Sequence, residues 1–130
     1  MLRRTSLEGS LFTVNPMAIR QPRPCVYTSN KRVVDVLVSP AFGVFALVAV
    51  GATAVGSIVM MAPVGGVVEK GAEHGMFAFG GSTVLVLLQE GAASFDADLV
   101  ANSRSPLETI VRTGERVGVA SAPRGLRREL

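Results

Sequence analysis

The run Phe77-Ala78-Phe79-Gly80-Gly81-Ser82-Thr83-Val84 sets a serine directly after two glycines. Glycine reaches strained and left-handed backbone conformations that other residues resist, so the Gly81 carbonyl can be presented to the Ser82 hydroxyl. Attack by that hydroxyl converts the Gly81-Ser82 amide into an ester. β-Elimination then cuts the chain, and hydrolysis of the new dehydroalanine leaves a pyruvoyl group at position 82. Such a carbonyl is an electron sink made from the protein itself, a role that pyridoxal phosphate plays elsewhere. Taken alone, Gly80-Gly81-Ser82-Thr83 is more often a plain turn or a phosphate-binding loop. A serine hydroxyl also needs a base to become a good nucleophile. His74 is the single histidine, between Glu73 and Gly75. A surface turn is its more frequent setting, and Lys70 and Glu73 read as solvated turn charges.

The elements that must position this site are read from glycine spacing and apolar runs. No charged residue occurs from Phe42 to Ala62, a stretch long enough to span a bilayer as a helix. Its valine-rich content is broken by Gly43, Gly51 and Gly56, which favours buried strands with bends. Three strands are expected, at Val33 to Val38, Val44 to Val50 and Ser57 to Met61. Asp35 and Pro40 mark where the first of them ends. Pro63-Val64-Gly65-Gly66 is a turn signal, after which Val67 to Gly71 reads as a strand entering a second turn. Glu73-His74-Gly75 leads into Met76 to Phe79, Gly80-Gly81 breaks the chain before Ser82, and Thr83 to Leu88 reads as a further β-branched, apolar strand. Ser105-Pro106-Leu107-Glu108 predicts a helix start, with Ser105 as N-cap and Pro106 at the first helical position. Gly114 would stop that helix, and Val117 to Val119 would form a last strand. The fold class expected is mainly β, in one domain over 1–130, with loose tails at 1–7 and 121–130.

Composition narrows the partners. The chain has 130 residues, 48% hydrophobic and 18% charged, so it carries more apolar surface than its own core would hide. A membrane, a partner or a missing piece of the same domain would account for that excess. Cys25 is the only cysteine, which excludes a disulfide within the chain and, with a single histidine, a Cys/His metal site of the usual spacing. Aromatics are 5%, with no Trp, and no nucleic-acid motif accompanies the basic residues, so nucleic acid is not an expected partner. The net charge is +3, with Arg3 and Arg4 at one end, Arg124, Arg127 and Arg128 at the other, and Arg20, Arg23, Lys31 and Arg32 between. These read as solubilising charges first and as attraction to anionic headgroups second. The opening Met1-Leu2-Arg3-Arg4-Thr5-Ser6 has a transit-peptide flavour that Glu8 and Pro16 interrupt.

Several blocks in order carry a resemblance to a known family, from roughly Glu8 to Gly118. They are Leu11-Phe12-Thr13-Val14-Asn15-Pro16-Met17-Ala18-Ile19-Arg20, Asn30-Lys31-Arg32, Val50-Gly51-Ala52 and Val55-Gly56-Ser57-Ile58. Lys70-Gly71-Ala72-Glu73-His74-Gly75-Met76-Phe77, the Gly81-Ser82 motif, and Glu108-Thr109 with Arg112, Gly114 and Glu115 complete the set. The chain resembles the C-terminal part of phosphatidylserine decarboxylases. Gly80 stands where many members have Leu, a form similar to the extended eukaryotic branch. The resemblance implies a short-stranded β sandwich and the conversion of phosphatidylserine to phosphatidylethanolamine. It makes Ser82 the precursor of the pyruvoyl cofactor and Gly81 the carbonyl at the cleavage site, with a small chain from Ser82 to Leu130. The basic residues outside the apolar middle predict peripheral, salt-sensitive membrane engagement, and the resemblance implies an upstream His and Asp as the base for Ser82. Those two should precede the Thr13-Val14-Asn15-Pro16 block, where this sequence has neither. The expectation is therefore a short or truncated enzyme that cleaves slowly or not at all by itself, its missing amino-terminal half or a homo-oligomer covering the exposed strands. A non-catalytic remnant of the family and a small protein spanning a membrane at Phe42 to Ala62 are the alternatives.

Overall fold

The computed structural model describes residues 1–53, 55 and 57–121. It divides into two compact units, residues 1–38 with 45–87, and residues 39–44 with 88–130. The first unit holds most of a four-stranded sheet in the order β1-β2-β3-β6, formed by Arg3–Leu7, Arg32–Ser39, Gly43–Val50 and Thr83–Leu87. β1 runs antiparallel to β2 with Arg4 opposite Asp35, and β3 runs antiparallel to β6 with Val50 opposite Thr83. The three residues joining β2 to β3 are too few for a parallel crossover, so this pair is a hairpin. A second hairpin pairs β4 (Ser57–Met60) with β5 (Gly75–Ala78), placing Ser57 opposite Ala78 and Met60 opposite Gly75.

Side-chain alternation explains β2. Val33, Asp35 and Leu37 point to the buried face, with partly exposed residues between them. β3 is buried differently, since Val48, Ala49 and Val50 are all buried in succession, as a strand covered on both faces requires. The apolar stretch from Phe42 to Ala62 is thus strand β3, a bridge between Ala52 and Val55, and strand β4. Among the described residues no helix is long and apolar enough to cross a membrane.

Two short helices precede β2. In α1 (Pro16–Ile19) the Asn15 side chain accepts from the Ala18 amide at 2.8 Å, and Pro16 supplies the fixed φ of a first helical position. α2 (Val26–Ser29) buries Val26 and delivers Asn30 to the core. The second unit contains β7 (Ala93–Phe95) paired with β8 (Gly118–Ala120), and α3 (Ala97–Arg104).

Three expectations need correction. Residues 3–7 are strand β1 rather than a loose tail, because Arg4 is drawn onto the sheet by Asp35. Val67 to Gly71 is not a strand: Val67 is 82% exposed and the chain turns at Lys70-Gly71. The helix near the C-terminus exists but lies earlier. Ser105 closes α3 as its C-cap instead of opening a helix. A residue before proline is pushed out of the helical region, so Pro106 ends the helix that reaches it. Gly56, Arg124, Arg127, Arg128 and the tail from residue 122 lie outside the described residues.

Candidate functional site

Ser82 stands at the head of β6, where the connection from β5 joins the sheet. Gly80 has φ +125°, a conformation only glycine adopts without strain, so the turn requires it at that position. Phe79 is also at positive φ, +69°, with its ring 90% exposed. A Cβ added at Gly81 would meet nothing within 4 Å, so open space lies beside its α-carbon. The Ser82 Oγ donates to the Val50 carbonyl at 2.5 Å, holding the hydroxyl on the end of β3.

That carbonyl is itself held in place. Asn30 is fully buried, donates to the Gly51 and Phe12 carbonyls at 2.8 Å each, and accepts from the Phe12 amide at 3.1 Å. Gly51 N–H donates to the Lys31 carbonyl at 2.7 Å, which locks the start of β2 beside the end of β3. Asn30 was legible in the sequence only as part of the Asn30-Lys31-Arg32 block. Its structural duty is to fix the strand end on which Ser82 rests.

A second polar cluster occupies the other end of the same unit. Asp35 is fully buried, and both of its oxygens take hydrogen bonds from Arg4, Nε to Oδ1 at 2.8 Å and a terminal guanidinium nitrogen to Oδ2 at 2.7 Å. His74 Nε2 lies 2.7 Å from the same Oδ2. Burial pushes the Asp35 carboxyl up, but hydrogen bonds from Arg4 and then His74, with their charges, outweigh it and hold it below the ordinary carboxylate value. The bond to Asp35 raises Arg4 against the opposing effect of its own desolvation. His74 is therefore not the surface turn residue expected. The amides of Met61 and Ala62 both donate to its carbonyl, at 3.0 and 3.2 Å, and its side chain is only 18% exposed. Lys70 and Glu73 are exposed, as solvated turn charges should be.

The two clusters are separate. Lys31 faces Gly51, so Asp35 lies four residues further along β2, roughly 13 Å at about 3.3 Å per residue. Ser82 sits at the Val50-Gly51 end. His74, committed to Asp35, is out of hydrogen-bond reach of the Ser82 hydroxyl. Between the clusters a half-open cavity of about 130 Å³ separates the sheet from the β4–β5 hairpin, lined by apolar residues and His74.

The chain is mainly β, and a turn that requires glycine at Gly80 delivers Ser82 to a strand end. The comparisons name the family. The phosphatidylserine decarboxylase family model matches residues 1–119, and the chain belongs to that family. It is 49% identical over 120 residues to phosphatidylserine decarboxylase proenzyme 2 of Oryza sativa subsp. japonica, covering 92% of this chain and 19% of the relative. Proenzyme 3 of Schizosaccharomyces pombe is 47% identical over 114 residues, covering 88% and 12%. The proenzyme of Chlamydia trachomatis serovar L2 is 46% identical over 112 residues, covering 86% and 37%. The chain thus spans well under half the length of these relatives. No solved structure matches it.

Proposed function

We propose that the chain carries the processing site and part of the substrate site of a pyruvoyl-dependent phosphatidylserine decarboxylase. The observation that carries this reading is the Gly80-Gly81-Ser82 turn in a chain of this family, with Gly80 at a φ that requires glycine and the serine hydroxyl held at a strand end. The residues present fit the group, since Ser82 supplies its atoms and Gly81 leaves as a carboxylate. Once formed, the pyruvoyl carbonyl would supply the electron sink for loss of carbon dioxide from an amine-bearing substrate.

The chain's own residues do the positioning. Asn30 and Lys31 fix Val50 and Gly51, Val50 holds the Ser82 hydroxyl, and Gly80 allows the turn. The Ser82 hydroxyl is hydrogen-bonded to the Val50 carbonyl, and the one histidine is bound to Asp35 and not to Ser82. A positioned general base contributes typically 10²–10⁴-fold. The 130 residues by themselves should therefore process slowly or not at all.

The reading is tested by mass spectrometry of the chain produced alone and together with the amino-terminal region of the Chlamydia relative. The expected products of the second preparation are fragments 1–81 and 82–130, the latter beginning with pyruvate, and Ser82→Ala should abolish both. An intact wild-type chain in that preparation would overturn the reading. Membrane engagement, in this reading, is peripheral and aided by exposed basic residues such as Arg23.

A further inference from the structure

The cavity between the sheet and the β4–β5 hairpin has a composition unlike the Ser82 site. Leu47, Ile58, Met60, Met76 and Phe77 supply an almost wholly apolar wall, and His74 is its only titratable side chain. His74 is also the residue in this wall tied to a buried carboxylate, Asp35, which Arg4 neutralises. At about 130 Å³ the cavity compares with the ~150 Å³ engineered cavity that admits benzene, so it takes a group of several carbons and not a whole lipid tail. Its near wall includes Val84, two residues from Ser82, and its far wall includes His74, at the level of Asp35 roughly 13 Å along the strands.

We propose that this cavity is the subsite for the ester-linked start of one acyl chain of a glycerophospholipid whose headgroup lies at Ser82. The proposal rests on the reading of Ser82 as the reacting centre. In a serine glycerophospholipid about ten covalent bonds separate the amine from the first acyl methylene, the reach of roughly three extended residues or ~11 Å. That reach is comparable to the roughly 13 Å estimated along β2 between the strand end beside Ser82 and the level of Asp35, to which His74 is bound. The ester-bearing carbon then lies against His74, and the first methylenes lie among Leu47, Ile58, Met76 and Phe77. The remainder of the chain leaves through the open side, where Met76 and Val84 are each 49% exposed.

His74 is the only histidine, so its imidazole signals in ¹⁵N-resolved NMR report on this cavity without assignment ambiguity. The probes are monomeric dihexanoyl-phosphatidylserine, dihexanoyl-phosphatidylglycerol and glycerophosphoserine, which lacks acyl chains. Both acylated probes should shift the His74 signals saturably, and glycerophosphoserine should not. Ala49→Leu, which fills the cavity from β3, should weaken the acylated probes at least tenfold while circular dichroism stays β-rich. If that variant does not fold, Met76→Trp, at a half-exposed position, replaces it with the same expected loss. His74 signals unmoved by saturating acylated probe, or a folded cavity-filled variant that binds like wild type, would overturn the subsite. Failure of the Ser82 reading is seen separately, as an uncut Gly81-Ser82 bond in the mass spectrum while both acylated probes still shift His74.

Discussion

At the scale of single residues, the chain divides its polar chemistry between a serine at a strand end and a buried carboxylate. Asp35 is the residue whose change should be felt most, because Arg4 and His74 both converge on it. Asp35→Asn leaves the part-exposed Arg4 without its counter-charge, and losing hydrogen bonds to a charged group of this kind costs about 1.5–3 kcal/mol. The expected outcome is a large drop in denaturation midpoint at neutral pH. The pH dependence follows from the sign of the shift. The folded carboxyl titrates below 3.8, so its contribution is complete above that value and is lost as pH falls through the lower, folded one. Thermal midpoints should stay level from neutral pH to about 5 and fall below about 4 as this group protonates. The Asp35→Asn variant should show a shallower acid limb. A wild-type acid limb no steeper than that of the variant would contradict this account. Gly80→Ala is the matching test at the serine site. At φ +125° an added Cβ is strained by about 1–3 kcal/mol, and processing in the presence of the relative's amino-terminal region should slow or stop.

At the scale of elements, strand ends and caps decide where the site sits. Asn30→Ala removes three hydrogen bonds and strands the buried carbonyl of Gly51. Each orphaned buried acceptor costs about 1–3 kcal/mol, so chemical denaturation should show a loss in that range or above it. The loss should extend to Ser82, whose acceptor Val50 precedes Gly51. Helix α3 offers a contrasting case. Were Ser105 an N-cap, Ser105→Ala would cost about 1 kcal/mol. As the exposed C-cap of Ala97–Arg104 it makes no such side-chain bond, and the same substitution should change stability by less than about 0.5 kcal/mol. Strand content was largely legible here. β2, β3, β4 and β6 fall within one or two residues of the valine-rich runs because glycines and Pro40 punctuate them, whereas β5, with no valine, did not stand out. β1 was not legible, since its five residues Arg3 to Leu7 alternate weakly and are held by an ion pair to a distant strand.

At the scale of the whole molecule, exposed apolar side chains remain conspicuous, including Met17, Val67, Phe79 and Ile110 at 76% exposure or more. The peripheral engagement proposed above would give such surface a use at a membrane. Attraction by basic residues is screened over about 8 Å at physiological salt and about 3 Å at 1 M. Sedimentation with phosphatidylserine vesicles should therefore fall several-fold between low and high salt. Binding indifferent to salt would assign the attachment to the apolar side chains alone.

The amino-acid sequence by itself determined the local facts. Two glycines before Ser82, ordered blocks shared with one family, and valine runs cut by glycine are properties of neighbours along the chain. They were enough for a mainly β fold, the family and the Gly81-Ser82 bond as the candidate reacting centre. Tertiary structure decided what depends on pairs distant in sequence. Asp35 and His74 are 39 residues apart, and only the packing of the β4–β5 hairpin on the sheet brings them to 2.7 Å. Nothing in the spacing of a lone histidine distinguishes a solvated turn from a partner to a buried carboxylate. The register of β3 on β6 likewise decides that Ser82 meets Val50 and not His74. Strand register is set by the joint burial of many side chains, which no single segment encodes.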